Sequence, residues 1–181
     1  MHRYAVFLRG INVGRAQRIA MADLRAALER DGYSDVRTLL NSGNVVLSGE
    51  RSPSDTARAV EELLRRTFSM PIGVVVRTRD EIAALVDAAP LADVATDGSR
   101  TVVYFLSEPA PAATLEELLA VDHAEDVLRA STDRRELYVW CPNGQTDSQL
   151  VTAVTRARLP GVLTARNWNT VVKLLALLDR D

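Results

Sequence analysis

Apolar and polar positions along this chain follow two periods, and the switches between them mark out its elements. Residues 3 to 8 alternate loosely and then run apolar, the pattern of a strand buried on at least one face. A long polar loop over residues 9 to 19 follows, after which Met21, Leu24 and Leu28 recur at helical spacing; Gly32 stands where a helix commonly ends. Val36 to Leu40 and Asn44 to Leu47 read as two strands joined through Asn41-Ser42-Gly43, residue types that suit a hairpin turn. Ser52-Pro53-Ser54-Asp55 supplies a cap residue, a proline at the first helical position and a carboxylate three residues after the cap. Ala57, Val60, Leu63, Leu64 and Phe68 continue the apolar stripe of that second helix. Residues 72 to 76 are β-branched and short, which predicts a strand. Thr78-Arg79-Asp80-Glu81 then has capping-box spacing ahead of a third helix, with Ile82, Leu85, Val86 and Ala89 on one face.

Residues 90 to 100 lose this periodicity and gather Pro90, Asp93, Asp97, Gly98 and Ser99, which predicts a domain boundary. Beyond it the order returns. A strand over 101–106 leads to a helix from Thr114 with Glu117 in capping-box position, and strands near 126–130 and 136–140 flank the polar turn Thr132 to Arg135. Leu150, Val151 and Val154 mark a helix, Val162 to Thr164 a short last strand, and Val171, Leu174, Leu175 and Leu178 the face of a final helix. Each half therefore reads βαββαβ plus an extra helix, the N-terminal half over 1–89 and the C-terminal half over 98–181. The duplication is one of pattern, without a residue-level repeat.

Composition narrows the function classes. The 181 residues are 47% hydrophobic and 25% charged, the proportions of an ordinary globular protein, with no apolar run near the ~20 residues that span a bilayer. The expectation is a soluble, cytoplasmic protein without a membrane partner, since no basic flank, apolar segment and cleavage site open the chain. One cysteine, Cys141, and two histidines, His2 and His123, form no cluster at metal-ligand spacing, so no metal is expected. The net charge of -2 argues against generic binding to nucleic acid, which needs a surplus of cations along its footprint. Of the 22 basic residues all but Lys173 are arginine, a skew that reads as compositional bias and gives single arginines little weight.

Three polar blocks carry the candidate chemistry. Arg9-Gly10-Ile11-Asn12-Val13-Gly14 follows a strand and precedes a helix, so glycine-exposed amides and a helix start could cradle an anion. It lacks the Lys-Ser/Thr pair of a P-loop and the third glycine of a dinucleotide fingerprint, and a turn needing glycine conformations explains it equally well. In Ser42-Gly43-Asn44, hairpin chemistry accounts for Ser42 better than a nucleophile's role, because no histidine has a place beside it. Cys141 beside Pro142 reads as a strand-end cysteine. In the third block, Arg166-Asn167-Trp168-Asn169-Thr170, Asn167 suits a helix cap, whereas Asn169 and Lys173 share a helix face opposite the apolar one. Five of the six asparagines fall in these blocks: Asn12, Asn41, Asn44, Asn167 and Asn169.

The sequences R-G-I-N-V-G, T-x-x-x-S-G-N-V-V and R-N-W-N-T-V, in that order across nearly the whole chain, resemble the bacterial family catalogued as domain of unknown function sixteen-ninety-seven. The resemblance implies an α+β fold of two ferredoxin-like βαββαβ subdomains with antiparallel sheets and additional helices, and no established activity. The chain departs from the family's pattern at Arg15, Leu39 and Leu47, where a further glycine and aromatics often stand.

Two function classes follow from these readings, with a scaffold or dimerisation domain as a third. The first is a protein that binds an anionic or phosphorylated small molecule where the blocks converge. Arg9, Arg166 and Lys173 would meet the charge, Asn12, Ser42, Asn44, Asn167, Trp168 and Asn169 would orient the ligand, and Gly10, Gly14 and Gly43 would admit it. No general base or cofactor is identifiable. The second is an RNA-binding module, whose βαββαβ order matches but whose stacking aromatics are missing from Asn44 to Leu47, although Tyr4 and Phe7 lie on the first strand.

Overall fold

The structure is a computed structural model, and it describes residues 1–12 and 18–180. The first half contains β1 (His2–Leu8), α1 (Met21–Arg30), β2 (Ser34–Leu39), β3 (Asn44–Gly49), α2 (Pro53–Phe68), β4 (Val74–Thr78) and α3 (Arg79–Ala88). The second contains β5 (Thr101–Leu106), α4 (Ala112–Ala120), β6 (Val127–Ala130), β7 (Glu136–Trp140), α5 (Gln149–Arg156), β8 (Leu163–Asn167) and α6 (Trp168–Leu178). Their strands form two four-stranded antiparallel sheets of order β2-β3-β1-β4 and β6-β7-β5-β8. The first strand of each half lies between the third and the fourth, which is the ferredoxin-like arrangement, so the fold is α+β with two such halves.

Local chemistry sets the helix starts. Ser52 Oγ accepts from the Asp55 amide at 3.1 Å with Pro53 as the first helical residue of α2. At α3 the capping box closes both ways: Thr78 Oγ1 accepts from the Glu81 amide at 3.1 Å, and Glu81 Oε2 accepts from the Thr78 amide at 2.7 Å. Ser148 Oγ likewise caps α5 at the Val151 amide, 2.9 Å. The second-half helix departs from expectation. It begins at Ala112 behind Pro111, with no side-chain cap, because proline's fixed φ can start the helix two residues before Thr114. The last strand is longer than Val162 to Thr164. Pairing with β5 carries it on through Val103↔Arg166 and Val102↔Asn167, a tertiary constraint that local residue preference does not encode.

The chain falls into two compact units, residues 1–84 with 173–181 and residues 85–172. In the first, Tyr4, Val6 and Leu8 of β1, Val45 and Leu47 of β3 and Val74 and Val76 of β4 pack with Leu24, Leu28, Val60 and Leu64 of the helices. The alternate residues Phe7, Val75 and Arg77 are buried as well, and Arg77 is 1% exposed. In the second unit Val102, Tyr104, Leu106, Leu137 and Val139 pack with Leu118, Leu150 and Val154. Cys141, directly after β7, joins that core; its thiol is buried and burial pushes its pKa up.

Candidate functional site

The first two blocks meet at one end of the first unit's sheet. The Leu8 amide donates to Gly43 O at 2.8 Å and the Arg9 amide to Gly73 O at 2.9 Å, so the chain leaves β1 between the ends of β3 and β4. Asn12 adopts φ +56°, a left-handed conformation that asparagine tolerates. Its Nδ2 donates to Asn41 O at 2.8 Å and to Ile19 O at 3.0 Å, while Oδ1 accepts from the Ile19 amide at 2.9 Å. One side chain thereby joins Asn12 to Ile19 and to the hairpin at Asn41. Asn44, wholly buried, donates through Nδ2 to Leu39 O and to Ser42 Oγ, both at 3.0 Å. Gly43 has φ +78°, and a Cβ there would lie 2.8 Å from Leu8 Cβ and 2.9 Å from Ile11 Cγ1, so both its conformation and its neighbours require glycine.

These bonds decide what each residue can still offer. The side-chain amides of Asn12 and Asn44 and the hydroxyl of Ser42 are engaged in the turns, and Arg9, Gly10 and Ser42 are exposed. The Arg9 side chain has no hydrogen-bond or ion-pair partner among the described residues. Gly14 lies outside the described residues.

The third block sits in the second unit as far as Val172. Arg166, on β8, is partly buried and donates through Nη1 to Thr164 Oγ1 at 2.8 Å and to Ala165 O at 2.6 Å. Burial opposes its charge and pushes its pKa down to about 10. Asn167 Oδ1 accepts from the Thr170 amide at 2.9 Å and from its hydroxyl at 2.8 Å, which caps α6. Trp168 helps line a cavity of about 290 Å³ with Leu91, Ala95, Gly98, Thr101 and Tyr138. Asn169 lies against Gly98, whose added Cβ would fall 2.3 Å from Asn169 Oδ1. Lys173, grouped with the first unit, is exposed and has no partner among the described residues.

Sequence reasoning passed over two features. The buried Arg77 was hidden among so many arginines, although its alternation with Val74 and Val76 on β4 carries the signal of a two-faced strand. Residues 89–92 and 95–98 line the cavity, while the stretch 90–100 reads from sequence as a boundary because aperiodic segments give no local sign of what they enclose.

A family model described as Protein of unknown function (DUF1697) matches residues 1–138, which hold the first two blocks; the third lies beyond them. A solved structure of a conserved bacterial protein from Streptococcus pneumoniae superposes with a TM-score of 0.81 at 20% identity, covering 98% of this chain and 99% of that one. At that identity the likeness is one of fold. No curated protein matches. Among the described residues no helix is long and apolar enough to cross a membrane, and no group of three or more His, Cys, Asp or Glu could hold a metal ion.

Proposed function

This chain belongs to the DUF1697 family of proteins of unknown function, and on that footing we propose that it binds a small anionic molecule, of phosphate or phosphate-ester type, at the joined loops of its first unit. The observation that carries the reading is Arg9: an exposed guanidinium without a partner among the described residues, next in sequence to the exposed Gly10 and one residue beyond Leu8, whose amide donates to Gly43 of the hairpin. A guanidinium recognises phosphate or carboxylate through paired charge-assisted bonds. The bonds of Asn12 and Asn44 support the reading indirectly, since they fix Asn12 to Asn41 and Ile19, and Asn44 to Leu39, and so lower the cost of ordering those residues around a ligand. Trp168, Asn169, Arg166 and Lys173 stay outside this core of the proposal, and Lys173 is tested beside it. A single buried thiol fits a reducing, cytoplasmic setting.

The RNA-binding alternative gains no support from the first sheet. Tyr4 belongs to the core beneath the helices and Phe7 is 0% exposed, so neither offers a ring for base stacking.

Calorimetric titration of the full chain with inorganic phosphate, pyrophosphate and adenosine monophosphate tests the proposal. Arg9→Ala is expected to weaken binding roughly ten-fold or more, about 1.4 kcal/mol, with Arg9→Lys between the two. Binding unchanged in Arg9→Ala, or absent from the wild type for all three anions, overturns the reading. Lys173→Ala run in parallel reports whether the third block contributes.

A further inference from the structure

The cavity of the second unit plays no part in the anion site and stands on separate observations. Its volume of about 290 Å³ is at the small end of the ~300–1,000 Å³ usual for ligand sites. Its walls combine aliphatic Leu91 and Ala95 with the rings of Tyr138 and Trp168. Two polar groups of its lining have no hydrogen-bond partner among the described residues: the Trp168 indole N–H and the exposed Thr96 hydroxyl. A threonine hydroxyl can donate or accept, and an indole N–H donates.

Charge at the cavity is already answered. Asp97, the one carboxylate lining it, accepts from the Ser99 amide at 2.8 Å and from the Ser99 hydroxyl at 2.7 Å, with Arg100 Nε 3.7 Å away. A cationic ligand would have to compete with those partners, and an anionic one would meet the carboxylate. The walls favour a flat ring, and the unpartnered groups favour one whose edge carries hydrogen-bonding atoms of its own.

We propose that this cavity binds a small, flat, uncharged nitrogen heterocycle with an amide-type edge, the chemical class of a free nucleobase or nicotinamide. The apolar walls take the ring, and Thr96 and the Trp168 N–H exchange hydrogen bonds with its edge.

Nuclear magnetic resonance of the full chain gives a direct test, because two tryptophans give two indole N–H signals and Trp168→Phe identifies the relevant one. Uracil, adenine and nicotinamide are titrated, with benzoate and benzylamine as charged comparisons. The expected result is a saturable shift of the Trp168 signal, with affinity for at least one uncharged heterocycle roughly ten-fold or more above both charged rings. Ala95→Phe should abolish it by filling the cavity, and Ala92→Phe, from an exposed lining position, provides a second obstruction if the first disturbs folding. Absence of any saturable shift, a preference for a charged ring, or binding that survives obstruction in a folded variant overturns the proposal. Arg9→Ala should leave this response intact, which separates its failure from failure of the anion site.

Discussion

Arg166 keeps a guanidinium where burial works against it, and that conflict can be measured. A base whose folded pKa is lowered by burial weakens the fold wherever it is protonated; the deficit is complete below about pH 10 and disappears as pH climbs from there toward the ordinary arginine value. Replacing it with an uncharged side chain of similar length removes the penalty. Arg166→Met is therefore expected to melt no lower than wild type at neutral pH, within about 1 kcal/mol or above it, with the difference narrowing as pH rises past 10. Thermal melts of both proteins across pH check this, and a large loss of stability in Arg166→Met would show that bonds of the guanidinium outweigh its desolvation. Arginine abundance concealed this residue in the sequence, for nothing in composition separates Arg166 or the buried Arg77 from Arg65, which faces solvent on α2 and pairs with Glu62. Asn12 and Asn44 were legible as turn residues, and the turn is where their amides are used.

At the scale of elements, the end of β8 and the start of α6 show how far local pattern reaches. Asn167 fits its cap reading from sequence, and the bond to the Thr170 amide bears it out. That β8 extends to the same residue was not legible, because extension depends on β5 lying alongside. Asn167→Ala is expected to cost ~1 kcal/mol, within the 0.5–2 range of lost caps, while Asn167→Asp keeps an acceptor at the helix start and should cost less. Denaturant unfolding of the two variants tests this, and equal stability of Asn167→Ala and wild type would remove the cap as the residue's role. The capping box at Thr78 and Glu81 was readable because both partners lie within four residues. Pro111 stood where it could open a helix, but the Thr114-Glu117 spacing drew the start two residues too far.

Across the whole molecule, duplication of element order was legible and the path of the last turns was not. The two sheets share one strand order because the same succession of periods recurs in both halves. Residues 173–181, by contrast, group with the first unit, where Arg3 Nη1 donates to Leu178 O at 2.8 Å and Arg79 Nε meets Asp179 Oδ1 at 2.8 Å. Bonds spanning that much sequence leave no periodic trace in it. Continuity of the apolar face of α6 could be read, but not the neighbours it would find.

Cys141 gives this two-unit chain a built-in clock. It is the only cysteine in the sequence and belongs to the second unit, so a thiol reagent reports openings of that unit and receives nothing from the first. Burial keeps the side chain covered and, by raising its pKa, mostly protonated near neutrality, so alkylation must wait for the core to part. Labelling of the folded chain is expected to run roughly a hundred-fold or more slower than labelling in denaturant, and to accelerate with urea. Followed beside circular dichroism, the same reaction distinguishes a molecule that melts as one from a molecule whose second half lets go first: coincident midpoints mean the former, early alkylation the latter.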